Sequence, residues 1–259
     1  MNNFHVIIPA RYESSRLPAK PLAKINDKEM ILHVCERAKA SGAESVTVAT
    51  DHLDIKRVVD NAGFNAIMTR IDHESGSDRI YEAAESLNLD DDAIIVNVQG
   101  DEPFIPVANI QQVANIISNT NVSMATPVMA TLCCPIKDEE EANNPNAVKV
   151  IFDLNKKAIY FSRSIIPFVR AESLTSKFNL DNHFRHIGIY AYTKKFLKQF
   201  VNWPISKLEL LEKLEQLRVI ENGAEIYLDV LDFAPPAGID TPEDLVRANQ
   251  SFKEVKSTG

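Results

Sequence analysis

Polar and apolar positions in this chain repeat one order: a helical segment, a glycine, then a short apolar strand. Residues 31–40 carry helical periodicity, Gly42 follows, and 45–50 (SVTVAT) reads as a strand. Residues 54–61, Gly63 and 65–69 repeat the order, as do 208–222, Gly223 and 225–230. Each glycine stands where a left-handed residue closes a helix. Such alternation predicts βαβ units and a mainly parallel sheet. The run Val6-Ile7-Ile8 predicts a buried strand that Pro9 ends, since proline brings no N–H to a ladder. Residues 93–98 (AIIVNV) are apolar on both faces and predict a central strand. A helix is expected over 107–118 and a strand over 122–130.

Between about 131 and 190 the pattern changes. Residues 148–152 and 158–161 read as antiparallel strands around the polar turn 153–157, and 186–192 as a further strand. Residues 169–183 read as a polar loop. The pattern therefore predicts one α/β domain over 1–259, with an inserted antiparallel subdomain at about 131–190. The last helix opens with Thr241 as N-cap, Pro242 at its first position and acids in its first turn.

Composition narrows the class. The chain has 259 residues, 45% of them hydrophobic and 25% charged, with a formal net charge of −8. An acidic chain of this kind does not suit nucleic acid or anionic membrane as partners. The three cysteines, Cys35, Cys133 and Cys134, form neither an even set nor a CxxC pair, which favours reduced thiols over disulfides or a zinc ribbon. No apolar run approaches a membrane span, and the start lacks the basic-then-apolar pattern of a secretory signal, so a cytoplasmic protein is expected.

The chemistry gathers after strand ends. The stretch HVIIPARYESSRLPAKP places Arg11, Arg16 and Lys20 in a loop behind the first strand. Their spacing, broken by Pro18 and Pro21, does not suit a helix but suits side chains converging on one anion. A cationic loop at the carboxyl end of a first strand is where phosphates bind in α/β folds. With no glycine it is neither a dinucleotide fingerprint nor a P-loop, so side-chain charge must do the holding. The strand at 93–98 leads into Gln99-Gly100-Asp101, and a second acid, Asp240, precedes the last helix. Two carboxylates beside a cationic loop match a magnesium-triphosphate site, because Mg²⁺ is held by one or two carboxylates plus phosphate oxygens. Asp240 also reads as a mere neighbour of the Thr241 cap. The loop 68–79 (MTRIDHESGSDR) offers hydroxyls and N–H groups for a base or ribose, and Ser75 or Ser77 equally reads as a helix cap. His73-Glu74 has no second ligand at zinc spacing.

The motifs IIPARYESSRLPAKPL, ATD (49–51), DHESGSDR, VNVQGDEP, NPNAVKV, YFSR, RHIGIYAY, LEKLEQLR and GIDTPEDL follow in order along roughly residues 4–247. Together they resemble the 3-deoxy-manno-octulosonate (KDO) cytidylyltransferase family. The resemblance implies a Rossmann-like nucleotide-diphospho-sugar transferase fold, a homodimer, and transfer of CMP from CTP to a KDO-type sugar acid. It implies that Arg11, Lys20 and Arg16 bind the triphosphate, and that Thr69, Ser75 and Gly76 line the cytidine pocket. Asp101 and Asp240 would ligate Mg²⁺. Gln99, Arg163, His186, Tyr190, Glu215 and Arg218 match positions associated with the sugar acid. Taken alone, Glu215 and Arg218 read as an i, i+3 surface ion pair on a helix, and His186, Gly188 and Tyr190 as one face of a strand. Rival readings are a nucleotidyltransferase for another acceptor and a non-catalytic nucleotide-binding protein. The sequence departs from the family at Ala19, where glycine is usual; alanine suits the position if φ stays negative or if a Cβ is tolerated near the phosphates.

Overall fold

The computed structural model describes all residues except 1–2, 15, 121–127, 171–181 and 258–259, with side chains up to residue 250. The chain forms two compact units, residues 1–111 with 235–259, and residues 112–234. The insertion expected at 131–190 falls within the second.

The first unit contains β1 (Phe4–Ala10), the short hairpin β2 (Lys24–Ile25) and β3 (Lys28–Glu29), α1 (Met30–Ala40), β4 (Ser45–Thr50), α2 (Leu53–Asn61), β5 (Asn65–Met68), α3 (Gly76–Ser86), β6 (Ile94–Asn97) and the start of α4 (Val107–Thr120). Its sheet runs β6-β1-β4-β5, all parallel. Val6, Ile7 and Ile8 of β1 are wholly buried, as are Ile95 and Val96 of β6. Full burial of each such side chain contributes about 1.5–3 kcal/mol. The register pairs Ala10 with Thr50 and Thr50 with Met68, so the loops after these strands gather at one carboxyl edge. The glycines expected to close helices do so: Gly42, Gly63 and Gly223 have φ of 78°, 79° and 71°.

Pro9 does not end β1. The ladder to β6 stops at Ile7, while pairing to β4 continues through Pro9–Ala49 and Ala10–Thr50. Proline is tolerated where a neighbouring ladder has already ended. The hairpin at 24–29 is absent from the sequence expectation; its turn residues Asn26 and Asp27 take φ of 49° and 64°, the paired left-handed geometry of a tight hairpin.

The second unit contains β7 (Val128–Pro135), α5 (Glu139–Asn143), β8 (Lys149–Phe152), β9 (Ala158–Ser162), β10 (Phe184–Thr193), α6 (Lys194–Asn202), α7 (Lys207–Glu212), α8 (Leu217–Glu221) and β11 (Glu225–Val230). Its strands run β11-β7-β10-β8-β9, with β11 and β7 parallel and the other three pairings antiparallel. The α/β class with a mainly parallel sheet and added antiparallel strands is thus as expected. The strand expected at 122–130 falls partly on residues outside those described; the observed one runs on to Pro135. Most of the polar loop expected at 169–183 also lies outside them. The single helix expected over 208–222 is two, because Lys213 turns left-handed at φ 53° and ends α7. The apolar spacing continues through the break, since Leu214 and Leu217 are both buried. The final helix, α9 (Pro242–Ser257), returns to the first unit and opens as expected, Thr241 Oγ1 accepting from the Asp244 N–H at 3.2 Å.

Candidate active site

The loop after β1 turns back at Ala19, whose φ of 50° and ψ of 35° are left-handed. The condition of negative φ is therefore not met: a Cβ sits in the region that L-residues other than glycine enter at a cost of about 1–2 kcal/mol. The turn is held by the Leu22 N–H donating to Ala19 O at 2.8 Å, and it delivers Lys20 inward.

Lys20 is the centre of the site. Its Nζ lies 2.5 Å from Asp101 Oδ2 and 2.9 Å from Asp240 Oδ1, while Arg16 Nη2 lies 3.1 Å from Asp240 Oδ2. The two acids come from distant loops tied by one backbone bond, Ile239 N–H to Asp101 O at 2.8 Å. Glycine is needed at 100 for closeness, since a Cβ there would stand 3.0 Å from Pro9 O. Burial works to lower the Lys20 pKa, but the Asp101 and Asp240 carboxylates outweigh it and raise it, so the ammonium is charged throughout neutral pH. Asp244 supports the loop: burial opposes its ionisation, yet the N–H groups of Asp240 and Thr241 and the Thr241 hydroxyl hold its pKa low.

The cleft around this triad holds about 280 Å³ and is lined by Arg11, Arg16, Lys20, Ser75, Gly76, Gln99, Asp101 and Asp240, among others. Among the described residues Arg11 has no hydrogen-bond or ion-pair partner. Two carboxylates already converging on one cation are a donor set that suits a hard divalent ion. No cluster of three or more metal-ligating side chains occurs among the described residues, and Mg²⁺ with phosphate oxygens does not need one.

The loop 68–79 enters through α3. Ser75 caps that helix, its hydroxyl accepting from the Asp78 N–H at 3.1 Å and donating to Asp78 Oδ2 at 2.8 Å. Thr69 is buried, its hydroxyl donating to Thr50 O at 3.1 Å and accepting from Arg79. Arg79 and Asp51, which lie in the motifs DHESGSDR and ATD, form a pair. Arg79 is 3% exposed and its Nη2 lies 2.9 Å from Asp51 Oδ2. Asp51 Oδ1 in turn accepts from the Tyr12 N–H at 3.0 Å, and the Tyr12 ring stacks on His52 at 3.8 Å. One ion pair, with its arginine buried, thus fixes the first loop, the end of β4 and Thr69 together. An acid closing a strand (ATD) and an arginine four residues after a cap (SGSDR) are the only traces of it in the sequence.

In the second unit, Arg163 donates from Nε to Glu212 O at 2.6 Å, from Nη1 to Pro145 O at 2.9 Å and from Nη2 to Lys213 O at 3.3 Å. It thereby holds the carbonyls where α7 breaks. The expected surface pair of Glu215 and Arg218 is different in kind. Glu215 lies in the turn before α8, 3.8 Å from Arg218, whereas Arg218 is 6% exposed and grips Glu209 bidentately at 2.6 and 2.8 Å. The buried guanidinium needs a full carboxylate partner, and the helix break brings Glu209 to it. Lys149, between two valines in the sequence, is wholly buried with Nζ 2.9 Å from Asn144 O; burial first, then Arg163, lowers its pKa. His186 and Tyr190 share a face as expected, with ring centroids 5.4 Å apart. Burial pulls the His186 pKa down to about 3 and pushes that of Tyr190 well up. The cysteines are all buried; burial drives Cys35 and Cys133 up to about 12, which removes them as nucleophiles.

Two comparisons bear on this site. The model of a family described as cytidylyltransferase matches residues 5–226. Among solved structures, CMP:2-keto-3-deoxy-manno-octonic acid synthetase complexed with CTP is 39% identical, covering 98% of this chain and 99% of its own, with a TM-score of 0.87.

Proposed function

Because this chain belongs to the cytidylyltransferase family, we propose that it joins CTP to the anomeric hydroxyl of a KDO-type sugar acid, giving CMP-KDO and pyrophosphate for lipopolysaccharide synthesis. The observation that carries the reading is the convergence of Arg16, Lys20, Asp101 and Asp240 in one cleft whose wall includes Arg11. The anomeric oxygen attacks the α-phosphorus, the bond to pyrophosphate breaks, and the hydroxyl proton passes to solvent. Phosphoryl transfer of this kind asks the protein for position and charge rather than covalent help. Arg11, Arg16 and Lys20 take the triphosphate, and Lys20 and Arg11 offset charge growing on the leaving pyrophosphate. Ser75, Gly76 and Gln99 stand in the cleft for the nucleoside, and Thr69 supports them from behind. Asp101 and Asp240 would hold Mg²⁺, which when bound supplies charge neutralisation and acidifies the attacking hydroxyl. Arg163, His186, Tyr190, Glu215 and Arg218, with Gln99, are the candidates for the sugar acid. The protein would act as a cytoplasmic homodimer; no helix among the described residues is long and apolar enough to cross a membrane.

Pyrophosphate release with CTP, UTP and ATP against a panel of sugar acids tests the reading. A site that hydrogen-bonds the cytosine amine is expected to prefer CTP over UTP by about 10⁴ in kcat/KM. Equal use of the two nucleotides, or no pyrophosphate with any acid, would refute it.

A further inference from the structure

The register of β10 against β7 shifts between Ile187 and Ala191: Ile187 faces Leu132 and Ala191 faces Ala130, so Thr131 alone opposes residues 188–190. Bulges of this kind re-aim side chains beside functional sites. Thr131 is wholly buried, and its hydroxyl fills the gap. Oγ1 lies 2.8 Å from Ile189 O, 3.1 Å from Ile187 O and 2.9 Å from His186 Nε2.

A hydroxyl has one proton and two lone pairs, and a carbonyl oxygen only accepts. If the proton pointed at His186, two carbonyl oxygens would face the lone pairs of Oγ1 at hydrogen-bond distance. The proton therefore goes to a carbonyl, Ile189 O being the nearer, and Nε2 of His186 must carry a hydrogen to donate to Oγ1. The other ring nitrogen is then a bare acceptor. Nothing among the described residues bonds it. Phe161 meets the ring edge-on at 5.0 Å and Tyr190 flanks it at 5.4 Å, which limits rotation about the side chain. Burial keeps the ring neutral at working pH.

We propose that Thr131 is a positioning residue for the sugar acid: it fixes His186 in the Nε2–H tautomer, so that Nδ1 accepts a hydrogen bond from a substrate hydroxyl and disfavours groups that can only accept. The inference rests on the reading of His186 as a sugar contact. Its sequence signal was slight, a threonine inside an apolar strand, because the geometry depends on the bulge.

Nitrogen-15 NMR of the full-length protein labelled at histidine reads the tautomer directly. The wild-type protein is expected to show His186 protonated at Nε2 and bare at Nδ1. Thr131→Val should mix the tautomers and raise KM for the sugar acid about ten-fold, the scale of one lost hydrogen bond. It should leave kcat and the KM for CTP within two-fold, roughly, since those contacts lie elsewhere. Thr131→Ser should restore both readings. A wild-type His186 protonated at Nδ1, or a Thr131→Val variant with an unchanged tautomer, overturns the assignment without touching the proposed reaction. His186→Ala separates the two: if it leaves the sugar KM unchanged, the sugar role of His186 falls, and the positioning role with it.

Discussion

Replacing Lys20 by methionine should make the nucleotide-free protein bind a bare divalent ion more tightly, although it cripples the enzyme. In the structure the ammonium stands where a metal would, 2.5 Å from Asp101 and 2.9 Å from Asp240. A hydrogen bond to a charged group contributes about 1.5–3 kcal/mol. Asp240 is 42% exposed, so its share is screened to about 1 kcal/mol or less. An ion entering alone must displace the ammonium and forfeit about 2 kcal/mol. With triphosphate present the ammonium gains new oxygens, and the penalty disappears. Two kcal/mol corresponds to about 30-fold in affinity. Titration of free Mn²⁺ by electron paramagnetic resonance, without nucleotide, should therefore show about 30-fold tighter binding to Lys20→Met than to wild type. Turnover with CTP should fall by about 10²-fold or more. Adding Asp101→Asn to the variant should abolish the gain. Equal or weaker Mn²⁺ binding by Lys20→Met would refute the idea that ammonium and metal compete for one place.

Two further outcomes follow from the same geometry. Ala19→Gly relieves the left-handed strain of about 1–2 kcal/mol and gives back about 0.5–1 kcal/mol through the freer unfolded chain. Differential scanning calorimetry should show a melting temperature raised by about 2 °C, and a fall would contradict the strain. Arg79→Met leaves the half-buried Asp51 without its charged partner and should cost about 3 kcal/mol in denaturant unfolding, the low end for such a pair; if Asp51→Asn in the same chain recovers none of that loss, the pair is not the cause.

The sequence made the strand and helix order legible because burial follows period, and it placed the site because acids and cations cluster after strand ends. Arg11, Arg16, Lys20, Gln99, Asp101 and Asp240 were readable on that ground and do line one cleft. What stayed hidden depends on partners that only the folded backbone brings together. Arg79 looks like one more helix arginine until Asp51 is seen beside it. Arg218 looks paired to Glu215 until the break at Lys213 brings up Glu209. That break leaves no mark, because Leu214 and Leu217 keep an apolar rhythm that a turn satisfies as well as a helix. Ala19 was visible as a departure, but its φ was not, since a composition of Pro18, Ala19 and Lys20 permits either sign.

The bond between Lys20 and Asp240 spans 220 residues of sequence, and that separation shapes how the protein comes into being. A ribosome adding about 5–20 residues each second needs roughly 10–40 seconds to pass from one to the other. From the synthesis of Asp101 until that of Asp240 the emerging chain carries the cationic loop and the first acid but lacks the second. The Ile239–Asp101 backbone bond, too, waits for the same late segment. Closing so long a loop costs entropy before its contacts reward it, so docking of the last stretch should come late in maturation. A chain cut short before residue 240 is left with half a site, and its cationic loop then holds a single acid.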